Sequence, residues 1–460
     1  MINSRGGLLR PCERGFEPEK ADMKKCFTVF CLLIVGSLGC NSADSGESMG
    51  GVIPEDARML GDLATDAGVG SQDSMMRDVD VSPDAGQSPL CDRMANYGLR
   101  EAPFALADGT NHSARAVWNG SEWGVAWIAQ SGDAAPSTVL FQRVTGMGVL
   151  VGEPVEIGLT TTSQVAVVAT GDGYAVAYVV GRIPGDTFAG IIVRPISSSG
   201  RPAVTSIRLE STFDVQAFDF DWAQFAGGML VYSRGRNSGG GVYSFAFDNR
   251  FGVSTPVRLA DVVATSAGVV YGDGGFGVAW LQSVESGPSE LMFMLLDDNG
   301  GQIDEPELLD NGAVGPIAIA YGQGTFAMAW TKSGLAPQPR PVISLMEAGG
   351  DLIGTLPIEG PSTLNLAHDI VWTGNQGFAV AWLARGDNLE TYAGLTRISS
   401  LGVSSYPYRI PLPDGATHRS VSLAGLYSNL GIFYTMDWDL ESISFSPDSQ
   451  AMLGRLTGCN

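Results

Sequence analysis

A chain of 460 residues with 61 glycines, 44% hydrophobic and only 17% charged residues has the composition of many short strands joined by tight turns, not of packed helices. Its 49 acidic against 27 basic residues give a net charge of −22, a surface that repels phosphate backbones and argues against nucleic acid as a partner. The acidic excess reads as the solvation of an exported protein, with a dedicated cation-binding surface as the alternative.

The first forty residues read as an address. Met23, Lys24 and Lys25 form a short positive segment, and residues 26–38 are a thirteen-residue apolar run, shorter than a helix needs to cross a bilayer, which is the pattern of a secretory signal. Residues 1–22 lack that pattern, so Met23 is the expected start. The run closes on Ser37, Leu38, Gly39 and Cys40, which resembles a bacterial lipobox, although Ser37 stands where leucine is commonest. The resemblance implies cleavage before Cys40 and diacylglycerol on its thiol; ordinary cleavage with release is the alternative. Asn41, rather than aspartate, follows the cysteine, and resemblance to Gram-negative lipoproteins then implies the outer membrane, periplasmic or surface-exposed. Several acyl chains at about 0.8 kcal/mol per buried CH₂ make such an anchor durable.

Residues 41–97 read as a flexible tether. Between 41 and 90 the chain is rich in Gly, Ser, Asp and Pro and carries ten acidic residues against Arg58 and Arg77. Without an apolar period it cannot bury enough surface to offset the entropy of ordering. The segments at Thr65–Gly68 and Pro83–Gly86 lack the ligand spacing of a calcium loop.

From residue 98 a repeat takes over. A glycine-rich turn followed by an apolar strand ending in Trp or Tyr recurs seven times, at Trp127, Tyr178, Tyr232, Trp280, Trp330, Trp382 and Tyr434, with spacings of 51, 54, 48, 50, 52 and 52 residues. That period fits one four-stranded propeller blade. In each unit an apolar strand such as residues 317–321 precedes the turn, the anchor strand follows it, and a third strand such as residues 291–296 comes after a variable loop. A turn such as residues 297–300 leads to an outer strand opened by proline at Pro154, Pro256, Pro306 or Pro407, where a missing N–H is harmless. The anchors are expected to fill the space between blades, with ligand stacking as the alternative for individual copies.

The seventh unit lacks an outer strand before the chain stops. Residues 102–108 match residues 255–261 in type and spacing, yet no blade precedes them. The expected fold is therefore an all-β, seven-bladed β-propeller of four-stranded antiparallel blades, closed by an N-terminal strand that completes the last blade, so that no sheet edge is left for aggregation. Closure brings Cys91 and Cys459 to one rim. They are the only mature cysteines besides Cys40, and in an oxidising compartment they are expected to form a disulfide, with two free thiols as the alternative. A bridge closing so long a loop is worth roughly 4 to 5 kcal/mol in the chain-entropy view. The Gly-x-Gly-Phe-x-Val-Ala-Trp units across residues 98–456 resemble those of repeat-bearing bacterial β-propeller lipoproteins of uncharacterised type, a likeness that implies a fold and not a task.

Signals for chemistry are thin. His112, His368 and His418 are expected just before the first strands of blades one, six and seven, and no pair has metal-ligand spacing. No nucleophile elbow, zinc-protease motif or phosphate loop is present. The Gly-Asp-Gly turns at Asp172 and Asp273 are explained by hairpin geometry. One register does stand out: Arg115, Ala166, Asp219, Gly268, Ala318, Asp369 and Ser422 align on the innermost strands, with Asp221 two residues on. Either Asp219, Asp221 and Asp369 hold a channel cation such as calcium or a small polar ligand, or they pair with Arg115 and channel water as structure.

Three functions follow. The first is a monomeric, lipid-anchored, non-catalytic module that binds a protein, glycan or small ligand through the variable loops at 130–137, 181–187, 235–241, 334–341, 385–391 and 437–450. The second is a polysaccharide hydrolase or lyase using Asp219 and Asp221 as acid and base, which requires carboxyls about 5 to 10 Å apart. The third is a scaffold subunit of an outer-membrane assembly.

Overall fold

The computed structural model describes residues 97–99, 104–107 and, with breaks in its longer loops, 111–458. The residues read as a leader with Cys40, those read as a tether up to residue 96 (Cys91 among them), Cys459 and the middles of five variable loops (131–135, 182–187, 335–338, 386–390 and 438–449) lie outside the described residues, whereas Tyr97, expected in the tether, is in a strand.

Each repeat folds as consecutive antiparallel strands. The first sheet runs Asn111–Trp118, Glu122–Ala129, Ser137–Thr145 and Leu150–Thr160 in hydrogen-bonded order. The second, third and fifth sheets repeat that order from innermost strands Val165–Thr170, Val215–Ala223 and Leu364–Trp372. The composition of each strand follows its depth. Gly173–Val180, second in its sheet, is buried at every position and apolar on both faces, whereas the outermost Ile207–Arg208 is two residues long and half-exposed. The prolines sit where an edge tolerates them: Pro154 lies within Leu150–Thr160, and Pro256 directly precedes Val257–Ala260.

The molecule is thus an all-β propeller of four-stranded antiparallel blades. Its strands assemble into six sheets, one of them seven-stranded, because the sixteen-residue strand Glu307–Gly322 belongs to two repeats at once. Its first part pairs with Ser289–Leu296 and its second with Thr325–Lys332, with Ala313 in both registers. Leu291 and Phe293 pack against Phe326 and Trp330 between the two parts, so this sheet folds over itself into two layers.

Apolar cores lie between successive layers. Phe141 and Ile157 of the first sheet meet Tyr174 and Tyr178 of the second, and similar clusters follow around the molecule. The repeating aromatic anchors fill these spaces, as expected: Trp127, Tyr178, Tyr232, Trp280, Trp330, Trp382 and Tyr434 are at most 3% exposed. Three of the tryptophans also anchor their polar edge, Trp330 Nε1 donating to Ser344 Oγ and Trp382 Nε1 to Thr396 Oγ1, both at 3.0 Å, and Trp280 Nε1 to Gln282 Oε1 at 3.4 Å. Trp382 fits only because residue 394 is glycine, where a Cβ would lie 2.1 Å from the indole.

The last sheet closes on the first. Thr417–Ala424, Gly431–Asp437 and Gln450–Gly458 are its inner strands, and Phe104–Ala107 pairs antiparallel with Gln450–Gly458, setting Phe104 opposite Leu453. The closing strand is longer than the sequence suggested and comes in two pieces, since Tyr97–Leu99 continues along the same partner with Tyr97 opposite Gly458. Leu106, Phe433 and Leu453 then pack against Trp123, Val125 and Trp127 of the first sheet, and Trp123 Nε1 donates to the Ala424 carbonyl at 3.2 Å.

Leu106 is 5% exposed in this closing core, so Leu106→Ala is expected to cost roughly 2 to 5 kcal/mol in denaturant unfolding. Leu308→Ala, at a side chain 50% exposed on an outer strand, is expected to stay within about 0.5 kcal/mol of the parent. Equal effects would mean that Leu106 does not seal the ring.

Candidate functional site: the central channel

The innermost strands surround a cavity of about 740 Å³. Its wall takes residues from Asn111–Trp118, Val165–Thr170, Val215–Ala223, Ala264–Gly272, Glu307–Gly322, Leu364–Trp372 and Thr417–Ala424. The register read from the sequence holds residue for residue. Arg115, Ala166, Asp219, Gly268, Ala318, Asp369 and Ser422 each pair with the residue just before an aromatic anchor: Ala126, Ala177, Val231, Ala279, Ala329, Ala381 and Phe433. A β-bulge lies just ahead of this position in most of these strands, as between His112 and Arg115, Ala367 and Asp369, and His418 and Ser420. Bulges bend and twist a strand, re-aiming the side chains that follow.

Four charged residues line the channel among the described residues: Arg115, Asp219, Asp221 and Asp369. The three carboxylates are already engaged. Asp219 Oδ2 accepts from the Val269 amide at 2.9 Å and Asp221 Oδ2 from the Tyr271 amide at 2.7 Å, both on the next innermost strand. Asp369 Oδ2 accepts from the Leu423 amide at 2.8 Å, again one strand onward, and its Oδ1 from the Ile370 amide at 2.8 Å. Ser266 extends the device, its Oγ accepting from the Ile317 amide at 2.9 Å. These amides belong to strand edges that face the channel and have no ladder partner there, so an inward carboxylate or hydroxyl satisfies a group that is costly to leave bare.

The same placement sets the acidity of the carboxyls. Each is half-exposed to the channel but surrounded at depth by protein. Burial raises Asp219 to about 7, against the Val269 and Phe220 amides and the charge of Arg115, which lower it. Burial raises Asp221 and Asp369 as well; Arg115 is the strongest opposing influence on Asp369. The expected pairing of the aspartates with Arg115 is thus electrostatic only: among the described residues neither a hydrogen bond nor a salt bridge joins them.

Other candidates are placed differently from the sequence reading. The histidines lie inside innermost strands, not before them, within Asn111–Trp118, Leu364–Trp372 and Thr417–Ala424. His112 is buried with Nδ1 3.3 Å from Ser113 Oγ, and burial depresses it to about 4, leaving it neutral at physiological pH. Among the described residues no three His, Cys, Asp or Glu side chains gather as a metal site. Sequence reasoning missed Ser266 and Gln164 on the channel wall. Ser266 was findable, since it stands two residues before Gly268 in the aligned register.

This architecture defines the chain as a β-propeller protein. No family model matches it, and no curated protein matches it. Among solved structures it is similar to the β-propeller domain of the Trilobed protease from Pyrococcus furiosus, at 6% identity and a TM-score of 0.47 over 75% of this chain and 95% of that one. It is also similar to polysaccharide lyase Uly1, at 11% identity and 0.48 over 75% and 90%, and to a protein of unknown function from Dyadobacter fermentans, at 10% identity and 0.43 over 77% and 99%. At these identities the likeness is one of fold alone.

A carboxyl raised from 3.8 to about 7 binds its proton more tightly in the folded than in the unfolded chain. Its contribution to stability is therefore complete below about pH 4 and is lost as pH rises through about 7. Asp219→Asn keeps an oxygen for the Val269 amide and removes the buried charge. Its thermal unfolding midpoint is expected to match or exceed the parent's at about pH 8, with a flatter dependence between about pH 4 and 7. Asp219→Ala is expected to be less stable at every pH. A parent midpoint that climbs with pH in step with Asp219 ionisation would contradict this account.

Proposed function

We propose that this protein is a lipid-anchored, non-catalytic binding module of the bacterial cell envelope, built as a seven-bladed β-propeller at the end of an acidic tether. The observation that carries the non-catalytic reading is the engagement of Asp219 and Asp221. Both carboxylates hold backbone amides of the neighbouring strand, and sitting two residues apart on one strand they are about 7 Å apart along it, with both aimed at the same neighbour. An acid and a base must instead face a substrate from positions free to exchange protons with it. Ligand contact falls to the variable loops and to the channel.

The count of seven rests on dividing the seven-stranded sheet at the shared strand Glu307–Gly322, whose two parts serve different layers. The anchor rests on the lipobox-like end at Cys40, and outer-membrane placement on Asn41. The Cys91–Cys459 disulfide is supported by the pairing of Tyr97 with Gly458, which leaves Cys459 one residue and Cys91 six residues beyond a bonded pair. Mass analysis of the oxidised mature protein is expected to find two hydrogens fewer than the reduced form, with Cys91 and Cys459 in one linked peptide; separate free peptides would remove the bridge from the account.

Binding and turnover on a glycan panel, measured for the parent and Asp219→Asn, separate module from enzyme. The expected outcome is binding by both without turnover by either. Cleavage by the parent that the substitution abolishes would replace this proposal with a hydrolase or lyase.

A further inference from the structure

Arg115 is the one charged side chain of the channel wall that no hydrogen bond or ion pair engages among the described residues, the three aspartates being turned to backbone amides. It feels Asp219 and Asp369 electrostatically without bridging to either. Its position is built. Asn111 and His112, both buried, fix the start of the strand, and the bulge that follows passes through Ser113 at φ +56° before Arg115 emerges toward the channel, a backbone cost of the kind that persists where the surroundings demand it. The equivalent positions on other strands are small, Ala166, Gly268 and Ala318, so the space before the guanidinium stays open within a cavity of about 740 Å³. That volume suits a ligand of sugar size. Gln164 lines the same space, its amide nitrogen holding the Gln216 carbonyl at 2.8 Å and its side-chain oxygen closed off from solvent.

We infer that the channel binds a small hydroxylated organic anion of the sugar-acid class, its carboxylate forked on Arg115 and its hydroxyls against polar wall residues such as Ser113 and Ser163. This rests on the binding-module reading and names the ligand chemistry of its channel. A planar guanidinium matches a carboxylate with two parallel hydrogen bonds, and in a confined site such a pair is worth far more than at the surface. The aspartates leave it room, since all three are turned to backbone amides and burial raises Asp219 to about 7 and the other two in the same direction. A carboxylate on Arg115 cancels the positive charge that holds Asp219 down, so binding draws a proton onto Asp219 and weakens as pH rises through neutrality. Arg115, Asp219, Asp221 and Asp369 are the only titratable residues of the described wall that face the site.

The test is calorimetric titration of the mature chain with glucuronate, glucose and acetate. Glucuronate is expected to bind at least roughly tenfold more tightly than glucose or acetate, and Arg115→Gln to lose roughly tenfold or more of that affinity while still unfolding cooperatively. Arg115→Lys should retain an intermediate affinity. Parent affinity should be higher at about pH 6 than at about pH 8, and Asp219→Asn should flatten that difference. Equal binding of glucose and glucuronate, an Arg115→Gln protein that binds as the parent does, or no heat with glucuronate while glycans of the panel still bind would each overturn this inference and leave the module standing. Turnover of a glycan would overturn the module reading itself.

Discussion

Everything in this molecule depends on each sheet having a partner on both faces. The second strand of each sheet is apolar all round, so a sheet left with one bare face would expose a row of side chains such as those of Gly173–Val180. A linear stack cannot meet that demand at its ends; a ring can, provided its last sheet meets its first. Leu106, Leu453 and Trp123 make that meeting. The closing strand pairs Phe104 with Leu453, so the contacts of largest sequence separation are also the ones that finish the core. Folding of such a ring is expected to be slow, because long-range pairing must be reached before it is rewarded.

A ring of sheets creates a second problem at its centre. Every innermost strand turns one edge toward the channel, and its amides there have no neighbouring strand to bond. Asp219, Asp221, Asp369 and Ser266 solve this locally, each reaching from one strand to an amide of the next. The solution stores ionisable groups in a region that resists ionisation, so the channel trades pH-dependent stability for satisfied backbone. Where small residues such as Ala166 and Ala318 stand instead, the same edges border open space.

The repeat, its four-strand grammar and the closing strand were legible because a blade's burial pattern is local: apolar on both faces inside, proline and polarity at the edge, an aromatic at a fixed place. The pairing of Phe104 with Leu453 followed from an outer strand missing in the seventh unit and a matching strand left over ahead of the first. The shared strand Glu307–Gly322 was not legible, because the connection between outer and inner strands there, Asp310 to Ala313, holds extended geometry in place of a loop, and nothing in its residue types distinguishes the two. The channel charges were found by alignment, but their roles were not. Alignment places a side chain on a strand face; it does not say that the carboxylate turns sideways to a neighbouring amide instead of toward the axis or toward Arg115.

That sideways turn is what gives Arg115 its interest. A protein of net charge −22 presents a repulsive exterior to anions, yet at physiological ionic strength charges farther than about 8 Å are largely screened. Inside the channel the local set decides. Burial works against the charged form of all three carboxyls, and each is held by a backbone amide, so Arg115 is the channel charge that no such contact engages among the described residues. The interior of this acidic protein is therefore locally receptive to an anion, and the same burial that raises the aspartates makes a carboxylate on Arg115 and a proton on Asp219 arrive together.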